Sequence, residues 1–132
     1  VLRHLLSILL IKLEYTRRTI YQEKRKALDY RDDIFQSFIT LLEERYKTSH
    51  HVNQYAAALN ITPRHLSEIL KYFLGKTTKQ VIKERLVLEA KRYLKYTNHS
   101  VKEVAYTLGY KDPSYFSKVF KRFTKVTPQA YK

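Results

Sequence analysis

The stretch VAYTLGYKDPSYFSKVFKRF, residues 104–123, decides the fold. It holds Gly109, one of only 2 glycines in the chain, and Pro113 follows four residues later. A glycine directly after an apolar helical segment permits a sharp turn with positive φ. A proline in the first position of a helix lacks an N–H that would have no partner there. The stretch therefore predicts a short helix, a tight turn and a second helix in which aromatic residues alternate with lysines.

A matching segment lies fifty residues earlier. TPRHLSEILKYFLGKTT begins at Thr62, and DPSYFSKVFKRFTKVTP begins at Asp112. Each copy has a residue that favours a helix N-cap, then proline, then apolar residues at helical spacing. The predicted core positions are Leu66, Ile69 and Leu70 in the first copy, and Phe116, Val119, Phe120 and Phe123 in the second. The repeat predicts two helix-turn-helix units.

The segments ahead of the two copies also match. Ala56 and Ala105 hold equivalent places in HVNQYAAAL and VKEVAYTL, where a small residue lets two short helices cross closely. Asn60 occupies the turn position that Gly109 holds in the second copy, and asparagine is among the few other residues that adopt positive φ. Ser100, with Glu103 three residues later, predicts a capping box.

Longer helices are predicted around these units. One runs from about 78 to 96, and its apolar side is formed by Val81, Ile82, Leu86, Leu88 (or Val87), Ala90, Tyr93 and Leu94. Another begins at a cap formed by Asp32 or Asp33 and ends near Lys47. The charged stretch 17–32 is interpreted as a linker, which helical structure would also suit.

The N-terminal residues 2 to about 26 predict an amphipathic helix. Its heptad seam is formed by Leu2, Leu6, Leu9, Leu13, Thr16 and Ile20, so it is a candidate for dimerisation. The fold class is therefore all-α: two helix-turn-helix subdomains joined by a long central helix and preceded by an amphipathic helix. The predicted boundaries are 1–32 for the connecting or dimerisation helix with its linker, and 33–132 for the remaining domain.

Charge indicates the kind of partner. The formal net charge is +14, and residues 51–132 carry 16 Lys/Arg against 5 Asp/Glu, a net +11. A surface this basic favours a polyanion, with nucleic acid first and an anionic membrane surface second. The opening VLRHLLSILLI is too short to span a bilayer, which needs about 20 apolar residues. A cytoplasmic location fits, and the alternative function is non-specific binding to polyanions or to a membrane surface.

Other classes have little support in the sequence. There is no cysteine, and the 5 histidines share no spacing typical of a metal site. We find no nucleophile elbow, P-loop or acidic pair, so we predict no enzymatic activity, no cofactor and no metal. Because the chain lacks methionine and starts at Val1, we expect it to be a fragment of a longer protein.

The stretch VKEVAYTLGYKDPSYFSKVFKRFTKVTPQAYK resembles the signature of the AraC/XylS family of bacterial transcription regulators. The resemblance covers roughly 33–132 and implies a first helix-turn-helix at about 51–75, a linker helix at about 78–96 and a second helix-turn-helix at about 100–125. It also implies that the two recognition helices enter successive major grooves, about 34 Å apart. Three positions depart from the family pattern: Asn60, Glu68 and Lys125.

The resemblance further implies which residues touch DNA. Base contacts would come from Arg64, Ser67 and Glu68 in the first unit, and from Pro113, Ser114, Tyr115 and Lys118 in the second. Phosphate contacts would come from Lys71, Lys121 and Arg122. The implied partners are double-stranded DNA, RNA polymerase and a second copy bound through the N-terminal helix. An effector-sensing domain ahead of the chain is expected to be missing.

Overall fold

A computed structural model describes all 132 residues as seven α-helices without a strand. The helices are α1 (Leu2–Arg45), α2 (Val52–Ala58), α3 (Pro63–Leu74), α4 (Thr78–Tyr96), α5 (Val101–Thr107), α6 (Pro113–Thr124) and α7 (Pro128–Tyr131). The predicted all-α class, with two helix-turn-helix units and a long central helix, is confirmed. The short α7 was not predicted; Thr127 caps it by accepting a hydrogen bond from the Ala130 N–H at 3.1 Å.

The first helix is much longer than the sequence suggested. It continues through 17–32, so the prediction that Asp32 or Asp33 caps a new helix is wrong, and both side chains lie exposed within α1. The physical reason is that the stretch contains neither glycine nor proline and is rich in Gln, Glu, Lys and Arg, which are good helix formers. Polarity alone does not break a helix. Ion pairs one turn apart, such as Glu14–Arg17 at 2.9 Å, add support.

The chain divides into two compact units, Val1–Ile34 and Phe35–Lys132. In Val1–Ile34 almost all of the large apolar side chains are exposed. They include every leucine and isoleucine of the predicted seam: Leu2, Leu6, Leu9, Leu13 and Ile20. No helix of the structure is both long and apolar enough to cross a membrane.

The core of Phe35–Lys132 is built around α4. The buried side of α4 is formed by Val81, Ile82, Leu86, Val87, Ala90 and Leu94. Of the two alternatives left open by the sequence, Val87 is buried and Leu88 is 61% exposed. The predicted core positions of α3 and α6 are buried, apart from Phe123, which is partly buried against the same cluster. Each helix pair therefore packs its apolar face towards α4 and leaves its polar face outward.

The two turns have the predicted backbone. Asn60 has φ 57° and Gly109 has φ 86°. The next residue in each turn donates its N–H to the matching alanine, Ile61 to Ala56 at 3.1 Å and Tyr110 to Ala105 at 3.0 Å. Both alanines are almost fully buried, which is the close helix crossing that a small residue permits.

Gly109 has a second requirement besides its φ. A Cβ at this position would lie 1.9 Å from the backbone carbonyl oxygen of Lys47, just after α1. Gly75, the other glycine, also has positive φ (68°), but a Cβ there would meet nothing within 4 Å. The turn of the second helix-turn-helix is thus pressed against the chain that leads into the first.

We predict that Gly109→Ala destabilises the protein far more than Gly75→Ala. Both substitutions place a side chain at positive φ, which costs about 1–2 kcal/mol. Only Gly109→Ala also forces the backbone at Lys47 to move, so its loss in free energy of unfolding should be at least twice as large. Urea unfolding of the two variants and the wild type checks this, and equal losses would show that the close approach is unimportant.

Candidate nucleic-acid interface

The outward side of α3 carries the residues of the first helix-turn-helix that are predicted to contact DNA bases. The Arg64 side chain is 91% exposed, and its Nε lies 3.5 Å from Glu68 Oε1 one turn later. Ser67 differs from them because its hydroxyl is hydrogen-bonded, at 3.2 Å, to that of Thr78, which is fully buried at the start of α4. Arg64 and Glu68 are therefore available to a ligand, whereas Ser67 also ties α3 to α4.

The start of α6 carries the residues of the second helix-turn-helix that are predicted to contact DNA bases. Asp112 caps the helix by accepting a hydrogen bond from the Ser114 N–H at 2.9 Å, and Pro113 is partly buried. Ser114 and Lys118 are exposed. Tyr115 is 48% exposed, and its ring lies beside the Tyr110 ring with 6.1 Å between centroids. Part of the Tyr115 ring thus contacts the turn, and the rest of the side chain remains accessible.

Lys71, Lys121 and Arg122, which were predicted to meet phosphates, are all exposed. Lys71 lies in the last turns of α3, and the other two lie in the last turns of α6. Each recognition helix therefore combines polar residues near its start with basic residues near its end.

Two acidic residues, Glu43 at the end of α1 and Glu89 on α4, are paired with arginines. Arg85 donates two hydrogen bonds to the Glu43 carboxylate, at 2.7 and 3.1 Å. Arg92 donates to Glu89 at 2.6 Å, and this hydrogen bond is the main cause that lowers the pKa of the Glu89 carboxyl. The hydrogen bond from Arg85 likewise lowers the pKa of Glu43. These carboxylates are neutralised within the protein, so they do not offset the lysines of α3 and α6.

His50 joins the two helix-turn-helix units. Its Nε2 lies 2.8 Å from the carbonyl oxygen of Leu108, so the tautomer with a proton on Nε2 donates to that carbonyl. Its ring also contacts the Tyr110 ring, with 4.8 Å between centroids. Sequence reasoning missed this link because the partners are 58 residues apart. Burial lowers the pKa of His50 and raises the pKa of Tyr110 to about 12. Both shifts favour the neutral form of the side chain.

We predict that the His50 link makes stability depend on pH. Because the folded pKa lies below the ordinary value of 6.5, the unfolded chain takes up the proton first as pH falls. The contribution is therefore complete above about pH 6.5 and is lost as pH drops through the folded pKa. His50→Gln, which keeps an N–H donor, should reduce the fall in free energy of unfolding between about pH 7.5 and 5.5.

The control for this experiment is His4→Gln, which removes an imidazole from the exposed start of α1. Denaturant unfolding at several pH values gives both profiles. A His50→Gln profile that matches the wild type would contradict the assignment.

No group of three or more His, Cys, Asp or Glu side chains is placed to hold a metal ion. The arrangement instead offers two exposed helices, each with polar residues at its start and cations at its end, on one shared scaffold. These features define a DNA-binding domain with two helix-turn-helix units.

Comparisons with known proteins identify the family. A family model described as a helix-turn-helix domain matches residues 55–132. The chain is 34% identical over 91 residues to the HTH-type transcriptional regulator YisR of Bacillus subtilis, covering 69% of this chain and 32% of that protein. It is 29% identical over 98 residues to the raffinose operon regulatory protein RafR of Pediococcus pentosaceus, covering 74% and 35%. The chain belongs to the AraC-type helix-turn-helix family of transcription regulators.

Solved structures show the same fold. The DNA-binding domain of AdpA, a global transcriptional factor in complex with a target DNA, superposes with a TM-score of 0.67 at 25% identity, covering 73% of this chain and 86% of that one. The C-terminal domain of the response regulator AraT from Geobacillus stearothermophilus gives a TM-score of 0.71 at 25% identity, covering 74% and 82%. The chain spans about a third of the length of the curated relatives YisR and RafR. Transcription regulators are generally not enzymes.

Proposed function

We propose that this protein is a sequence-specific DNA-binding transcription regulator whose α3 and α6 enter two successive major grooves on one face of the duplex. The observation that carries the proposal is the paired arrangement of two matching helix-turn-helix units around α4. Each unit presents a recognition helix with exposed polar residues at its start, which is the part that reaches base edges. The net +11 over residues 51–132 supplies the attraction to phosphate.

In α3, Arg64 is the proposed anchor. A guanidinium can donate two hydrogen bonds to guanine O6 and N7. In the free protein Arg64 is paired with Glu68, so binding exchanges this exposed ion pair, worth little in water, for a contact with a base. Glu68, once released, can accept from a cytosine amino group. Ser67 can reach a base only if its hydroxyl shares or leaves its hydrogen bond to Thr78.

In α6, Ser114 and Lys118 are proposed to donate to base edges, and the exposed edge of Tyr115 to touch a thymine methyl group. Pro113 would contact the duplex through its ring, since it has no N–H to donate. Lys71, Lys121 and Arg122 would neutralise phosphates, which sets affinity and register without reading sequence.

Selection from random duplex DNA at about 150 mM salt tests this proposal, because such salt suppresses purely electrostatic binding. The wild type should enrich two short elements centred about ten base pairs apart. Arg64→Ala should abolish enrichment of one element and Lys118→Ala that of the other, at a cost of about 1–3 kcal/mol each. Lys121→Ala is the control, because removal of a phosphate contact should weaken all sequences alike.

Enrichment of no motif by the wild type, with binding that disappears steeply in salt, would overturn the proposal. That result would favour the alternative of non-specific binding to polyanions or to a membrane surface. Strong binding to anionic vesicles would identify the membrane surface as the target.

The N-terminal helix is proposed to form a homodimer. Its seam residues Leu6 and Leu13 are 60% and 59% exposed, and such an apolar stripe gains free energy when a second helix covers it. The flanking positions include Arg3, Lys12 and Arg17. Like charges beside the seam would repel across a symmetric pair, and salt would screen that repulsion.

We therefore expect Leu6→Lys to shift the dimer towards monomer, whereas Leu28→Lys, an exposed leucine of α1 outside the seam, should have little effect. Sedimentation at about 10 µM protein measures this, and added salt should strengthen self-association while it weakens DNA binding. Monomer at all salt concentrations in the wild type would refute the dimer.

The remaining partners follow from the same proposal. We further propose that the protein acts in the bacterial cytoplasm, is associated with the nucleoid when bound to DNA, and contacts RNA polymerase. Since the chain spans about a third of YisR and RafR, an effector-sensing domain in the whole protein is also part of the proposal.

A further inference from the structure

A basic cleft of about 660 Å³ lies between the two helix-turn-helix units. Its walls are the loop that leads into α2, the first turns of α4 and the turn that leads into α6. Among the lining residues are Lys79 and Lys83 of α4, Lys111 of the turn, and Tyr115 of α6. The three lysines are not among the residues expected from the sequence to touch DNA.

The positive charge of the cleft is not balanced within the protein. None of these three lysines forms an ion pair, whereas nearby cations do, such as Lys76 with Glu84 at 2.8 Å. Asp112 is the one carboxylate in the lining, so it offsets one of the three lysine charges and the cleft stays net positive. Lysine side chains that share a cleft without enough counter-charge repel one another, and a bound anion reduces that electrostatic repulsion.

The cleft adjoins both recognition helices. The Nζ of Lys83 lies 5.9 Å from the centroid of the Tyr115 ring on α6. Lys79 follows Thr78 directly, and the Thr78 hydroxyl is hydrogen-bonded to Ser67 of α3. An anion in the cleft would therefore lie between the two places where α3 and α6 are proposed to meet bases.

We propose that this cleft binds phosphates of the DNA backbone between the two major grooves, with Lys79, Lys83 and Lys111 as the donors. The inference rests on the proposed function. When two helices fill successive major grooves, the minor groove between them faces the middle of the protein, bordered by two phosphate strands. The cleft places uncompensated ammonium groups at that position. It also gives the linker helix α4 a direct part in DNA binding.

The variant Lys79→Gln/Lys83→Gln tests the proposal against a matched pair. Lys91→Gln/Lys95→Gln removes the same charge at the same spacing from the same helix, where both lysines line a different groove with Tyr96 and Tyr131. The slope of log K against log salt is negative, and it becomes less negative by about 0.9 for each phosphate that is no longer neutralised. The cleft variant should therefore have a slope less negative by about 1.8, and the control should have the slope of the wild type.

A second measurement locates the phosphates. Neutral methylphosphonates in place of the central phosphates of the selected duplex should weaken the wild type several-fold and have little further effect on Lys79→Gln/Lys83→Gln. Equal slopes for the two variant pairs, or a wild type indifferent to central methylphosphonates, would overturn the inference while specific DNA binding stays intact. Failure of the wild type to select any motif would instead remove the proposed function, and the inference with it.

Inorganic phosphate is the other source of the same chemistry. Its binding to the free protein through Lys83 would appear as chemical-shift changes that are absent in Lys83→Gln. If those changes occur and central methylphosphonates have no effect, the cleft is a site for a free anion. That result would contradict the assignment to DNA.

Discussion

The close approach of Gly109 to the Lys47 carbonyl is the constraint on which the arrangement of the recognition helices depends. A backbone approach this close leaves no room for a side chain, so it fixes the distance between the second turn and the chain entering the first unit. The hydrogen bond from His50 to Leu108 fixes the orientation at the same place. These two contacts add to the apolar packing on α4. The hydrophobic effect is not directional, so apolar burial alone would permit small rotations of one helix-turn-helix against the other.

A rigid pair of units matters because DNA recognition at two sites is a geometric problem. Each base pair rotates the next contact around the duplex axis, so two helices read successive grooves only if their separation and angle are held. The ion pair between Glu43 and Arg85 joins the end of α1 to α4, and Glu89 is paired with Arg92 within α4. The hydrogen bond between the Ser67 and Thr78 hydroxyls likewise joins α3, in the first helix-turn-helix, to α4.

The fold could be predicted from the sequence largely because its signals are local. The repeat at Thr62 and Asp112, the positive φ at Asn60 and Gly109, and the apolar stripe of α4 each depend on residues a few positions apart. The continuity of α1 was missed because a polar composition suggested a linker, although nothing in 17–32 breaks a helix. His50 and Lys83 were missed because their partners, Leu108 and Tyr115, are distant in sequence and only the folded chain brings them together.

The rigidity of the arrangement of the two helix-turn-helix units can be measured by changing the spacing between the two DNA elements. Duplexes with one to five extra base pairs rotate the second element by about half a helical turn in total. For a rigid arrangement, affinity should fall with each insertion and, at five extra base pairs, equal that for a duplex with a single element. Affinity that changes less than about twofold across the series, a difference of only about 0.4 kcal/mol, would show that the two helix-turn-helix units move independently.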